Sequence, residues 1–186
     1  MGSGPADEEL MLAYGGGDAG AFETLYRRHR GPLYRFLLRQ VNDAATAEEL
    51  FQDVWMRVID SRQRYQPRAK FSSWVYAIAH NRLMDFYRAN GKARFLAPYD
   101  AEEALDALPS DDLPADALID RKRAAERLLA ALAELPDVQR EAFLLQQEGD
   151  LSVEEIGAAT GVSRETAKSR LRYAVAKLRA RLSVKS

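Results

Sequence analysis

The 186-residue chain sets 27 Lys and Arg against 28 Asp and Glu, a formal net charge of −1, and is 47% hydrophobic and 30% charged, which are globular values with room for one large or two small domains. No apolar run approaches the roughly 20 residues of a membrane span. MGSGPADEEL lacks the basic-then-apolar order of a signal peptide, and the absence of cysteine excludes disulfides and thiolate metal sites, so a soluble, cytoplasmic protein without cofactors is expected.

Gly15, Gly16 and Gly17 would be costly inside a helix, so residues 1–17 are expected as a tail with at most a short helix, and a first domain spans 18–94. Phe22, Leu25, Tyr26, His29, Leu33, Phe36 and Leu37 recur at spacings of three and four, the mark of a helix. Gly31 and Pro32 should kink or divide it. His29, on the apolar stripe, is expected as a satisfied core histidine and not a ligand. Asn42 and Asp43 mark a turn, and Thr46 with Glu49 has the spacing of a capping box opening AEELFQDVWMRVID. Leu50, Val54 and Val58 form its core face, while Phe51, Trp55 and Ile59 widen that face beyond what one layer of helices must cover. The surplus edge lies beside Glu48, Glu49, Gln52 and Asp53 and is suited to a protein partner. On periodicity alone, ordinary packing with a solvated acidic first turn is slightly preferred.

Arg57 to Arg94 carries nine bases and two acids. Its loop SRQRYQPRAK leads to Ser72, an expected N-cap, and to a helix with the stripe Val75, Ile78, Ala79, Leu83 and Phe86. The neighbouring face displays Trp74, Asn81, Arg82, Asp85 and Arg88. Tyr65, Phe71, Trp74, Tyr76 and Tyr87 interleave with the cations, as single-stranded nucleic acid requires: bases stack on rings while Arg and Lys track phosphates. Several of these rings must nevertheless be core. After Gly91, expected to end the helix, Asp100 to Asp116 holds seven acids and no base. Residues 95–119 therefore read as a flexible acidic linker, followed by a second domain over 120–186.

Leu128, Leu129, Leu132 and Leu135 give that domain an apolar stripe, Pro136 stops the helix and can open the next, and a further helix through Phe143 and Leu145 ends about Gly149. In LSVEEIGAATGVSRETAKSRLRYA (151 to 174), Ser152 and Glu155 form a capping box. Gly161 can take the left-handed conformation, and Ser163 is a good N-cap for the next helix. Ala167, Leu171, Ala174, Val175, Leu178 and Leu182 then make one apolar stripe. At about 100° per residue, Glu165, Ser169, Arg172 and Tyr173 fall opposite Leu171, with Lys168 and Arg170 on the flanks. A basic helix presented by a short helix and a Gly-containing turn is the geometry of a helix-turn-helix. The net charge from Leu151 onward, +5, suits phosphates. A helical hairpin with a solvated charged face is the plainer alternative, and DNA reading is favoured over it.

The chain resembles bacterial RNA polymerase sigma factors of the extracytoplasmic-function type. AFETLYRRHRGPLYRFLLR, AEELFQDVWMRVI and KFSSWVYAIAHNRLMDFYR look like the segments of the family's domain two. LPDVQREAFLL, LSVEEIGAATGVS and TAKSRLRYAVAKLR look like its domain four. The resemblance implies an all-α fold of two small helical domains, one of them a helix-turn-helix. It makes Glu49, Gln52, Asp53 and Trp55 candidate contacts to core RNA polymerase, reversing the preference for ordinary packing. It implies that the loop and helix from Ser61 to Arg88 capture the melted non-template strand of the minus-ten element, with Tyr65, Lys70, Phe71, Trp74, Asn81, Arg82 and Arg88 as candidates. It places Arg164, Glu165, Lys168, Ser169, Arg172 and Tyr173 in the major groove of the minus-thirty-five element. An anti-sigma protein is the further partner it implies. Ala167 stands where the family more often has Val, and Tyr173 where many members carry a base, so the promoter sequence read cannot be copied from relatives.

Two rivals stand beside this reading. A helix-turn-helix regulator with a helical sensor domain predicts specific duplex binding without polymerase. An enzyme is poorly supported: His29 and His80 are the only histidines, neither pairs with a Glu at metal-ligand spacing, and there is no Cys nucleophile or phosphate-binding Gly loop.

Overall fold

The structure, a computed structural model, describes residues 4–90 and 114–183, and every regular element among them is a helix. The fold is all-α. Most of the expected acidic linker, and the expected helix end at Gly91, lie outside the described residues.

The first four helices are α1 (Asp7–Gly15), α2 (Ala19–Val41), α3 (Ala44–Asp60) and α4 (Phe71–Ala89). Asp18 starts α2 by accepting from the amides of Gly20 at 3.0 Å and Ala21 at 3.2 Å. Contrary to the expected division at Gly31 and Pro32, α2 runs through both. Leu25 lies before the proline and Leu33, Phe36 and Leu37 after it, all completely buried. Their burial, at about 2 kcal/mol for each large apolar side chain, exceeds the ~3 kcal/mol that an interior proline costs.

Two other helix starts differ from expectation. Asp43, not Thr46, caps α3 by accepting from the Thr46 amide at 3.0 Å, so Thr46 and Glu49 lie inside the helix. At α4 the helix begins at Phe71, ahead of Ser72, and the Phe71 amide donates to the carboxylate of Glu8 at 2.6 Å. That cap comes from α1. The short helix before the glycines is thus packed into the first domain, with Met11 fully buried, and only Gly17 takes the left-handed backbone at the break.

His29 is satisfied as expected, its Nε2 lying 2.7 Å from Asp7 Oδ2. Asp7 is held below the usual carboxylate range chiefly by this hydrogen bond, with burial opposing and Arg28 assisting. A carboxyl lowered on folding stabilises above its unfolded value, and that contribution is lost as the pH falls through the folded value. Acidification below about pH 4 is therefore expected to loosen α1, and less so in Asp7→Asn. Superimposable acid titrations of the two chains, followed by circular dichroism, would refute this role of Asp7.

The second group is α5 (Ala115–Glu134), α6 (Asp137–Gln147), α7 (Val153–Thr160) and α8 (Arg164–Ser183). Helix α5 starts at Ala115, earlier than the expected Asp120, because Pro114 occupies its N-cap and Asp116 complements the dipole of its first turn. Leu129, Leu132, Leu135, Leu144, Leu145, Ile156, Ala174 and Leu178 are buried in its core, whereas Leu182 is 39% exposed.

The two groups pack on one another through α4 against α7 and α2 against α6. Arg140 of α6, 4% exposed, donates Nε to Gln40 Oε1 at 2.8 Å and a terminal nitrogen to the Gln40 carbonyl at 3.3 Å. His80 pairs with buried Glu141. Glu148 accepts from Arg35 and Arg39, and its carbonyl accepts from the Tyr76 hydroxyl at 3.3 Å. Gly149 lies so close to the Tyr76 ring that a β-carbon there would sit 3.1 Å from a ring carbon.

Candidate nucleic-acid interface

Local chemistry builds the helix-turn-helix as expected. Ser152 Oγ accepts from the Glu155 amide at 3.2 Å, and Glu155 accepts from the Ser152 amide at 3.1 Å, closing the capping box. Gly161 takes φ 72°, its amide donates to the Gly157 carbonyl, and the Val162 amide donates to the same carbonyl at 3.0 Å. Ser163 Oγ then accepts from the Thr166 amide at 3.1 Å and starts α8.

The outward face of α8 is open. Arg164, Glu165, Lys168, Arg172 and Tyr173 are exposed and Ser169 is half-buried. Arg164 pairs with Glu154 at 2.6 Å and Glu165 at 3.2 Å, which raises its already high proton affinity, Glu154 contributing most. The Arg172 guanidinium lies 5.3 Å from the centre of the Tyr173 ring. Two neighbours of one face therefore present a flat cation stacked on an aromatic, a unit able to meet base edges and phosphates.

The second face is the 61–70 loop with α4. An open cavity of about 560 Å³ is lined there by Arg64, Gln66, Arg68, Ala69, Ser73, Trp74 and Ala77, and from the other domain by Ala158 and Ala159. Trp74 is half-buried, with Tyr65 5.0 Å away in an edge-on contact. The Tyr65 hydroxyl, pushed up to about 12 by burial with added repulsion from Glu8 and Asp7, has no hydrogen-bond partner among the described residues, and neither has Ser73 Oγ. Lys70 is exposed and lies 3.2 Å from Glu155. Asn81 and Arg88 are exposed, Arg88 paired with Asp85. Phe71 is completely buried, packed 5.1 Å from the His29 ring, so it supports the pocket from the core and offers no surface to a base. Arg64, Gln66, Arg68 and Ser73 were not singled out from the sequence. The basic loop around Tyr65 was the signal for the first three.

On α3, Glu49 and Gln52 are exposed, but Trp55 is only 5% exposed. Its indole is enclosed by Tyr26 at 5.0 Å, Phe22 at 5.8 Å and Phe51 at 6.2 Å. Trp55 therefore shapes this face from beneath. Met56, 54% exposed, is the apolar side chain that periodicity missed. Asp53 accepts from Arg82 Nε at 2.7 Å, tying the α3 face to α4.

Fold and site together define an all-α protein of two helical domains, the second carrying a helix-turn-helix with an exposed cationic helix. Residues 25–93 match the model of Sigma-70 region 2, and residues 125–178 match Sigma-70 region 4. The chain is 36% identical to the RNA polymerase sigma factor CarQ of Myxococcus xanthus over 169 residues, 91% of this chain and 93% of CarQ. It is 34% identical to the ECF RNA polymerase sigma factor RpoE of Cereibacter sphaeroides over 167 residues, 89% of this chain and 88% of that one. The sigma factor RpoE of Bartonella quintana, solved in complex with the anti-sigma factor NepR, shares the fold at a TM-score of 0.68 and 21% identity, over 89% of this chain and 98% of that one.

The chain belongs to the extracytoplasmic-function sigma factors of bacterial RNA polymerase. It is an alternative sigma factor, which binds core polymerase, recognises promoter DNA and opens it to start transcription. This decides against a regulator built on an unrelated sensor domain. Among the described residues no helix is long and apolar enough to cross a membrane.

Proposed function

We propose a division of the sigma-factor task among three surfaces of this chain. Glu49, Gln52 and Asp53 on α3, underpinned by Trp55, meet core polymerase. Trp74, backed by the buried Tyr65, receives unstacked bases of the non-template strand while Lys70, Asn81, Arg82 and Arg88 follow its phosphates, with Phe71 holding the pocket in place. Arg164, Glu165, Lys168, Ser169, Arg172 and Tyr173 read the upstream duplex in its major groove. The chain works in the cytoplasm by binding alone: trapping unstacked bases offsets the few kcal/mol that flipping costs, and no bond of its own making is needed.

The observation that carries this reading is the pairing, in one chain, of an open cationic recognition helix with a separate cavity walled by Trp74, Arg64 and Arg68. An anti-sigma protein is inferred as a further partner, supported by the bound state of the Bartonella relative. The test is transcription in vitro with bacterial core polymerase on a pool of genomic fragments. Discrete start sites above those of core alone are expected, and their absence would remove the basis of the assignment. In the same assay Arg172→Ala should lower promoter selectivity about tenfold, the scale of one base-edge contact, and leave core binding intact. Loss of core binding in that variant would mean the two surfaces have been misplaced.

A further inference from the structure

Helix α1 lies ahead of residues 25–93, the stretch that matches Sigma-70 region 2, and none of the three surfaces draws on it. Its two ends nevertheless meet the two ends of the 61–70 loop. At its start, the Glu8 carboxylate accepts from the Phe71 amide at 2.6 Å, where the loop passes into α4. Lys70, at the N-cap of α4, supplies no side-chain cap of its own, so this charge-assisted bond takes that place. At the other end, Gly15 lies so near the start of the loop that a β-carbon there would sit 2.5 Å from the Arg62 carbonyl oxygen. The Arg62 guanidinium lies 5.8 Å from the centre of the neighbouring Tyr14 ring and donates to the Ile59 carbonyl at 2.8 Å.

From Glu8 to Gly15 the helix rises about 10 Å, and it is seated on the domain by Leu10 and Met11, both buried. It is therefore a rigid strut between the loop's two anchors. The loop's own backbone bonds are local: the Arg64 amide donates to the Ser61 carbonyl at 3.0 Å and the Arg68 amide to the Gln66 carbonyl at 2.8 Å. Such bonds close turns but leave the separation of the ends unset. Between exposed neighbours, Tyr65 turns inward, 7% exposed, edge-on to Trp74 and in the field of Asp7 and Glu8.

We propose that α1 is the positioning element of strand capture: Glu8 and Gly15 fix the two ends of the 61–70 loop and thereby hold Tyr65 behind Trp74 in the attitude that accepts a base. Both are positioning residues that act through the loop. The cost of ordering the loop is then met when the chain folds and not when the strand binds. The proposal rests on the assignment of Trp74 and this loop to the melted strand.

Full-length wild type, Glu8→Ala, Glu8→Gln and Gly15→Ala are compared first by limited trypsin digestion, with cuts after Arg64 and Arg68 followed by mass spectrometry. Each is then assembled with bacterial core polymerase, and its affinity for a random-sequence pool of single-stranded DNA is measured above that of core alone. Cleavage tracks the population of the opened loop, so Glu8→Ala should be cut several times faster at both positions while cuts in α8 keep their rate. Its strand affinity should fall about fivefold, because apparent affinity scales with the fraction of chains already competent, and its affinity for core should be unchanged. Glu8→Gln keeps an oxygen acceptor for the Phe71 amide and should recover most of both losses. Gly15→Ala acts at the other end of the loop and should reproduce them, which keeps the test decisive if Glu8→Ala fails to fold.

Wild-type cleavage rates in both Glu8→Ala and Gly15→Ala would overturn the anchoring. A loop that loosens without weakening strand binding would overturn the positioning role, as would a loss that glutamine does not restore or that extends equally to core affinity. The assignment of the pocket fails separately: in that event Trp74→Ala would leave strand affinity unaltered, whatever the trypsin cuts show.

Discussion

Arg140→Ala should destabilise the folded chain by about 3 kcal/mol, the scale of losing one partner from a buried charged network. The guanidinium is 4% exposed and serves acceptors on both sides of the domain contact. These are Gln40 Oε1 and the Gln40 carbonyl on α2, the Leu135 carbonyl at 3.2 Å, and Asp137 at 2.7 Å. Alanine strands the Gln40 side-chain oxygen, itself on a residue 4% exposed, and an orphaned buried acceptor costs about 1–3 kcal/mol by itself. Lysine should recover only part of the loss, because a single ammonium cannot span acceptors arranged around a planar fork. Urea denaturation measures both. A change below about 1 kcal/mol for Arg140→Ala would mean that water or a neighbour takes over the role.

Trp74→Ala should reduce open-complex formation on a duplex promoter about a hundredfold. Stacking contributes about 1–3 kcal/mol per base, and the upper end applies to an indole that forms one wall of the pocket. The loss should shrink sharply on a template already unpaired over the same region, since there the captured bases no longer have to offset the cost of melting. Permanganate footprinting of the two templates separates these cases. An equal deficit on both would place Trp74 in another step, such as folding of the loop with Tyr65, 5.0 Å away.

The first prediction concerns a feature that local sequence does not display, whereas Trp74 stands out among the cations of its own segment. The two histidines make the contrast plain. His29 lies on an apolar stripe and could be read as a core residue, and its partner Asp7 belongs to the same domain. His80 has no such signature, because its partner Glu141 is 61 positions away on the other domain. The capping boxes divide in the same way. Ser152 and Glu155 close one, whereas Thr46 and Glu49 have the identical spacing but lie inside α3, because Asp43 captures the Thr46 amide first. A motif of this kind operates only where the helix actually begins.

What the sequence determined alone is whatever rests on interactions within a few residues. The all-helical class follows from spacings of three and four, the helix-turn-helix from Ser152, Gly161 and Ser163, and the open face of α8 from its angular positions. Tertiary structure decided the rest. It buried Phe71 and Trp55 among rings supplied by other helices, and it carried α2 through Pro32 on the strength of side chains packed on either side. It used Glu8 of α1 to cap α4 and set α7 beside the cavity lined by Trp74. Periodicity tells which face of a helix is apolar, but which of several apolar faces meets which depends on free energies summed over contacts distant in the chain, and no local pattern encodes that sum.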